Sequence, residues 1–350
     1  MLNSSRHLRR YAIVALVCLL AVIPLLTTSN YYLGTMIIIG IYTLVTVGLC
    51  LLMGYAGQIS LGHAAFYGLG AYGSGILTAT YNVNPWLAMI LAAAITAVIA
   101  LAIGAPILRL KGHYLALASL GFGVIIYFIF VQGGPVTGGP SGLTGVPGLK
   151  IGSFKFNSDT RFYYLVWIIA LAGIVAAQNL VKSRIGRALR AINGSEVAAE
   201  SMGINTARMK VQIFVISAIY GSIAGSLYVH YVNFVNPPPF GVFQSAHFVL
   251  MAVVGGIANV WGPLFGVTLV IILSAVLREF VSLIITSASG EFEIIFFGFI
   301  LIVVMIFMPE GLVAGIVNLV ERVWQRRPGK ARKARNIPRV VENNRLNSEN

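Results

Sequence analysis

The sequence predicts an all-α, polytopic integral membrane protein with about ten transmembrane or re-entrant helices, some broken by glycine-rich stretches. Composition is the first reason: 58% of the 350 residues are apolar and 10% are charged, where soluble domains carry about 25% charged residues. Periodicity is the second, because a hydrocarbon core of roughly 30 Å needs about 20 apolar residues per helix, and such runs fill the chain from residue 11 to 309. The third is sidedness, argued below from the placement of Lys and Arg.

The apolar segments fall at 11–28, 33–53, 60–80, 86–108, 113–132, 162–180, 209–232, 244–260, 262–285 and 292–309. Arg6, Arg9 and Arg10 before the first imitate a secretory signal, but "TTSN" follows it rather than a small-x-small cleavage site, so it is read as a retained helix. With residues 1–10 cytoplasmic, alternation places 54–59, 109–112, the loop 181–208, residue 261 and the tail 310–350 inside. The loop 133–161 and the shorter turns near 30, 83, 238 and 288 then lie outside. Counting Lys210 at the edge of the inside loop, 20 of the 24 Lys and Arg fall inside, against Lys150, Lys155 and Arg161 outside, the bias that the positive-inside rule expects. Arg278, roughly 24 Å along its helix from Gly262, is placed near the outer surface, where its side chain can snorkel.

Charge excludes more than it suggests. The net +14 includes nine basic residues between Arg322 and Arg345, and a juxtamembrane polybasic tail drawn to anionic lipid accounts for them without nucleic acid. Cys18 and Cys50 lie in apolar runs and read as packing residues. No cofactor is implied, since no His/Cys/Asp/Glu cluster has metal-ligand spacing. Gly68-x-Gly70-x-x-Gly73 lacks the strand and the acidic residue of a dinucleotide fold, and GxxxxGK[ST] is absent, so no ATPase site is encoded. Gly139-Pro140-Ser141-Gly142 matches an intramembrane serine protease motif but opens a turn-rich loop, not a helix. The chain is therefore read as a transport subunit without enzymatic activity of its own.

Three stretches carry the functional expectation. "GYAGQISLGHAAFYGLGAY", residues 54–72, sets five glycines among polar groups at membrane depth. Broken backbone is tolerated there only when buried in protein or lining a wet cavity, so Gln58, Ser60, His63 and Tyr67 are candidates for a translocation path. Interhelical hydrogen bonding is the alternative for the polar trio Gln58, Ser60 and His63. A second interrupted stretch, "AVVGGIANVWGPLFG" at 252–266, is its counterpart in the later half, as paired broken helices are in transporters. The inside loop "VKSRIGRALRAINGSEVAAESMGINTARMK" reads as two helical pieces broken at "NGS", with Asn193 or Ser195 as N-cap and Glu196 in the next turn. The second piece is too short to stand alone and suits a partner's groove. GxxxG pairs at Gly221–Gly225, Gly262–Gly266 and Gly311–Gly315 mark close helix approach. His230 and His247 flank the outer loop "NFVNPPPF" and read as interfacial hydrogen-bonding groups.

Taken in order, "GYAGQISLGHAAFYGLGAY", "LRLKGHYLALASLGFG", "TGGPSGLTGVPGL", "IGRALRAINGSEVAAESMGIN" and "VVGGIANVWGPLFGVTLV" resemble the membrane permease of branched-chain amino acid ABC importers, LivM type, from about Leu33 to Gly311. The resemblance implies a bacterial cytoplasmic (inner) membrane location with both termini cytoplasmic and a permease domain over 11–309. It also implies ATP-binding cassette subunits, a second homologous permease chain and an extracytoplasmic substrate-binding protein. The substrate it implies is a branched-chain or related amino acid; urea, amides and other small polar solutes are carried by the same class. Glu196, Ala198, Ala199 and Gly203 match the EAA-type coupling helix that docks on the ATPase. Lys111-Gly112-His113-Tyr114 has His where the family commonly has Asp, and Val124 stands where an acidic residue is common. A stand-alone channel or secondary transporter is the alternative from another class, although ion-coupled carriers normally keep ionisable groups at depth.

Overall fold

Glycine and alanine, rather than bulky apolar residues, set how closely the helices of this bundle approach. The computed structural model describes residues 20–24, 29–152, 154–284 and 298. Its principal helices are α1 (Asn30–Cys50, continued by a π-helical turn at Leu51–Tyr55), α2 (His63–Ala79), α3 (Pro85–Ile107), α4 (His113–Gln132), α5 (Asp159–Lys182), α6 (Arg184–Gly194), α7 (Glu196–Ser201), α8 (Thr206–Val232), α9 (Val242–Gly255) and α10 (Gly262–Ile284). Four two-residue strands, β1 (Leu143–Thr144), β2 (Lys150–Ile151), β3 (Phe154–Lys155) and β4 (Phe234–Val235), lie in the loops at one end. The expectations for residues 1–10, most of 11–28, the side chain of Arg278, most of 292–309, Gly311–Gly315 and the tail 310–350 lie outside what the structure describes.

Five of the described helices are long and apolar enough to cross a membrane, at 30–55, 85–107, 113–132, 159–182 and 206–232. α2, with 17 residues, and α9, with 14, are shorter. At 1.5 Å per residue they fall below a full bilayer core, as broken segments do.

α2 is the centre. A Cβ on Gly70 would fall on the backbone of Ser222 in α8, and one on Gly225 would fall on the Tyr67 carbonyl, so these two helices touch backbone to backbone. α1 is apolar all round and buried over most of its length, as expected of an interior helix. Gly40 seats Val166 and Trp167 of α5, and Gly48 seats Tyr220 of α8. α3 divides sharply: Pro85, Ala88, Ala92, Thr96, Ala100 and Gly104 form a buried stripe of mostly small residues at helical spacing. The opposite face exposes Leu87, Ile95, Val98 and Leu101, the pattern of a helix with one side toward lipid. Thr96 Oγ1 donates to Ser222 Oγ at 3.1 Å across the α3–α8 contact. The later GxxxG pair works locally, Gly262 and Gly266 letting α10 lie against the backbone of Gly255 and Met251 in α9.

The loops gather at two ends. At one end Asn193 Nδ2 donates to the Gly54 carbonyl (3.2 Å) and Tyr55 Oη to the Ala258 carbonyl (2.9 Å), joining the segments near 54, 193 and 258. At the other, β1 pairs antiparallel with β4 and β2 with β3, and Trp86 Nε1 donates to the Lys150 carbonyl (2.9 Å). His230 pins this second loop cluster. Its Nδ1 lies 2.8 Å from the Pro147 carbonyl, which can only accept, so Nε2 accepts from Ser74 Oγ at 2.7 Å.

Candidate functional site: the broken helix and the docking helix

The stretch 54–72 is broken because three neighbours leave no room for side chains. A Cβ on Gly54 would strike the Ile257 carbonyl, one on Gly62 the Ser119 carbonyl, and Gly57 has φ +67° against Asn193. The freed backbone is satisfied inside the protein: Leu61 N–H donates to Ser119 Oγ (3.0 Å) and Ala64 N–H to Ser245 Oγ (3.0 Å). A π-helical turn immediately before the break, at Leu51–Tyr55, is the kind of irregularity that membrane helices keep where they do work.

The expected path residues are not brought together in one place. Ser60 and His63 are sealed, at 2% and 0% exposure, in a directional chain of hydrogen bonds. Ser217 Oγ gives its proton to the Gly48 carbonyl (2.5 Å), so it must accept from His63 Nε2 (2.6 Å), and His63 Nδ1 then accepts from Ser60 Oγ (3.1 Å). This ties α1, α2 and α8 through one neutral imidazole. Tyr67 sits one turn beyond His63 in an aromatic cluster with Tyr42, Tyr228, Phe240 and Phe248, its hydroxyl without a partner among the described residues. Gln58 is the member that reaches a cavity, one of about 130 Å³ beside Lys111, Glu196 and Lys210.

A second polar recess, of about 380 Å³, opens between α1, α9 and α10, lined by Thr35, Tyr42, Gln244, His247 and Ser274 among others. Gln244 Nε2 there has no partner among the described residues. Sequence reading missed this recess, because its polar groups come from three helices far apart in the chain and each looks isolated on its own.

The short helix α7, the expected docking element, is built from its caps. Ser195 Oγ accepts from Ala198 N–H (3.3 Å) and is the N-cap, while Asn193, the other candidate, reaches across to Gly54. Gly203, at φ +81°, stops the helix in a Schellman-type turn, with Ile204 N–H returning to the Ala199 carbonyl (3.1 Å). Glu196 Oε1 accepts from Lys210 Nζ at 2.6 Å, the side chains being 27% and 4% exposed. That hydrogen bond, with the charges of Lys210 and Lys111, holds the Glu196 carboxyl below the usual carboxylate range against the opposing effect of burial. Ala199 is buried and Ala198 exposed. Val197 on this six-residue helix and Met202 at its C-cap stand 71% and 75% exposed. Lys210 was missed as the partner of Glu196 because it lies 14 residues on, in the next helix past the turn at Gly203, where no helical spacing relates the two.

Residues 31–305 match the family model described as "Branched-chain amino acid transport system / permease component". The chain belongs to that family. Among curated relatives, the permease is 28% identical over 295 residues to the high-affinity branched-chain amino acid transport system permease protein LivM of Salmonella typhimurium, covering 78% of this chain and 67% of that one. It is 25% identical to LivH of Escherichia coli K12 over 77% of this chain and 90% of the relative. It is 24% identical to a probable LivM of Methanocaldococcus jannaschii, over 78% and 90%. A solved structure, PsaBC from Streptococcus pneumoniae in complex with Fab, aligns with a TM-score of 0.43 at 12% identity, covering 82% of this chain and 95% of that one, too distant to bear on the permease's function.

Proposed function

We propose that this permease forms the translocation path of an ATP-driven ABC importer for branched-chain or related amino acids. In this reading it crosses a bacterial cytoplasmic membrane about ten times with both termini inside, and pairs with a second homologous permease. ATP-binding cassette subunits dock at the inner end, and an extracytoplasmic binding protein delivers the solute to the outer cap. The observation that carries the reading is α7. It is capped at both ends, anchored to α8 by Glu196–Lys210, and turns Val197 and Met202 outward, the geometry of a rigid apolar key awaiting a groove. The helix before it, α6, bonds through Asn193 to Gly54, and Tyr55 bonds in turn to Ala258, so a push on α7 reaches the broken segments through α6.

The path itself is assigned to the polar wall of α1, α9 and α10, with Tyr67 behind Tyr42 and Gln58 at the inner exit. Ser60 and His63 hold the broken helix beside it. The recess residues Thr35, Tyr42, Gln244, His247 and Ser274 carry no carboxylate or guanidinium, which suits a solute recognised by hydrogen bonds; an importer of the same class for urea or amides is the second reading this favours.

Purification of the tagged chain from its own membranes in mild detergent, with mass spectrometry of what accompanies it, tests the assignment. An ATP-binding subunit and a second permease should co-purify, and leucine uptake into proteoliposomes should require ATP and binding protein. A chain that emerges alone and transports without ATP overturns the proposal in favour of a channel or secondary carrier, and uptake of urea in place of leucine selects the second reading.

A further inference from the structure

At the inner end, between α3 and α8, lies a cavity of about 680 Å³ with two unlike walls. One is apolar and includes Leu101, Ala105, Leu108 and Val211; the other carries Arg109, Lys111, Arg208 and Lys210 together with Glu196 and Glu200. The two carboxylates are already engaged, Glu196 by Lys210 Nζ and Glu200 by the Thr206 hydroxyl (2.6 Å). The side chains of Arg109, Lys111 and Arg208 are exposed and make no ion pair or hydrogen bond to another described side chain. Four cations thus face two carboxylates across this cavity, and its polar wall is net positive.

The apolar wall distinguishes this cavity from a simple anion site. Leu101 is 55% exposed, and one turn farther along α3 Val98 is 66% and Ile95 51% exposed. The stripe therefore continues from the cavity up the face of α3 that turns away from the bundle. A soluble phosphate would use the cations and leave the stripe idle, whereas a phospholipid uses both: phosphate on the basic groups, acyl chains along Leu101, Val98 and Ile95. Basic pockets between helices at the cytoplasmic surface have the chemistry for anionic headgroups.

We propose that this cavity is a binding site for an anionic phospholipid of the phosphatidylglycerol type, with Arg109, Lys111 and Arg208 holding the headgroup phosphate. The headgroup then sits beside the Glu196–Lys210 pair that anchors α7, so lipid and docking helix stabilise one another. The inference goes beyond the importer reading and rests on neither ATP nor solute, so the two can fail separately.

The test is native mass spectrometry of the full chain released from nanodiscs of mixed phosphatidylglycerol and phosphatidylcholine, with hydrogen exchange of residues 195–204 as a second readout. The wild-type chain should retain phosphatidylglycerol preferentially, inorganic phosphate should not displace it, and the lipid should slow exchange in 195–204. R109Q/R208Q should lose the preference about tenfold or more together with the slowing, R109K/R208K should keep both, and K150Q/K155Q, with the same charge removed at the outer end, should behave as wild type. Equal loss in the outer-end variant would make the effect diffuse charge and overturn the site. Displacement by inorganic phosphate alone would make it a phosphate site and overturn the lipid. An ATP-binding subunit cross-linked at Arg109 or Arg208, with no lipid preference in the wild-type chain, would give these charges to a protein contact and overturn it as well.

Discussion

Two chemically identical substitutions should act with opposite sign in this bundle. In Gly225→Ala the new Cβ falls on the Tyr67 carbonyl and lies 2.9 Å from the Ala71 nitrogen, both backbone atoms of α2. No rotamer relieves that contact, so α2 and α8 must separate, disturbing the neighbouring seats of Gly70 on Ser222 and Gly221 on Phe66. Overpacking of this kind costs about 1–3 kcal/mol, and a contact between two backbones belongs at the upper end. Alanine's better helix propensity returns about 1 kcal/mol, leaving a net loss of about 2 kcal/mol. In Gly121→Ala, within α4, the Cβ meets nothing within 4 Å, so only the propensity gain of up to about 1 kcal/mol remains. The two variants should therefore differ by about 3 kcal/mol, measured by equilibrium unfolding in detergent micelles or by thermal melts followed on size exclusion. Gly70→Ala combined with Gly225→Ala should cost less than the sum, since both act on one seam. Equal stability of Gly225→Ala and Gly121→Ala would show that the α2–α8 backbone contact does not govern the fold.

Ser217→Ala removes both the donor to the Gly48 carbonyl and the acceptor of His63 Nε2–H, and each buried group left unsatisfied costs about 1–3 kcal/mol. Melting should fall while uptake per folded molecule holds; uptake lost at unchanged stability would place His63 on the path instead. The lowered carboxyl of Glu196 fixes a pH sign. Its stabilising pair is complete above the ordinary carboxylate value of roughly 4.3 and is lost as pH falls through the lowered folded value. Exchange protection of 196–201, corrected for intrinsic rates, should stay level down to that ordinary value and fail only below it, and Glu196→Gln should abolish the dependence. At Gly203 the space is open but φ is +81°, so Ala should cost about 1 kcal/mol or more of local strain while Asn is better tolerated. Gly203→Glu should lower ATP-dependent uptake, and wild-type uptake in that variant would argue against α7 as the coupling element.

What could be read from the sequence was whatever is written locally. The long helices of the described region follow apolar runs, and an N-cap at Asn193 or Ser195 was legible because such preferences act within a turn, Ser195 taking the role in the structure. The GxxxG pair at Gly221–Gly225 announced a close approach, but its target, Gly70 and Tyr67 about 150 residues earlier, is a property of the packed bundle. The same limit hid the β1–β4 pairing, where two-residue strands from distant loops meet with no alternation long enough to see. Gln58, Ser60, His63 and Tyr67 were chosen as polar or aromatic groups at depth. They then divided by helical phase and depth: His63 faces Ser217 on α8, Tyr67 lies one turn onward among aromatic rings, and Gln58 sits before the helix begins.

Under the proposed function, the position of the breaks matters more than their number. The interruptions at 54–62, 194–195 and 256–261 come from helices far apart in the chain, yet Asn193–Gly54, Tyr55–Ala258 and the Gly54–Ile257 backbone contact bring them together at the inner end. A continuous helix resists bending because each turn is held by its own hydrogen bonds, whereas irregular backbone changes direction by a few dihedral angles. Force applied at Val197 and Met202 therefore meets the most deformable part of the bundle first. Beyond it lie the stiffest connections: the Ser60–His63–Ser217–Gly48 chain and the glycine seam between α2 and α8. A displacement at the inner end is thus passed to α1, α2 and α8 as whole bodies rather than absorbed within them, which is what a permease needs if ATP-driven motion at one membrane face is to open a path at the other.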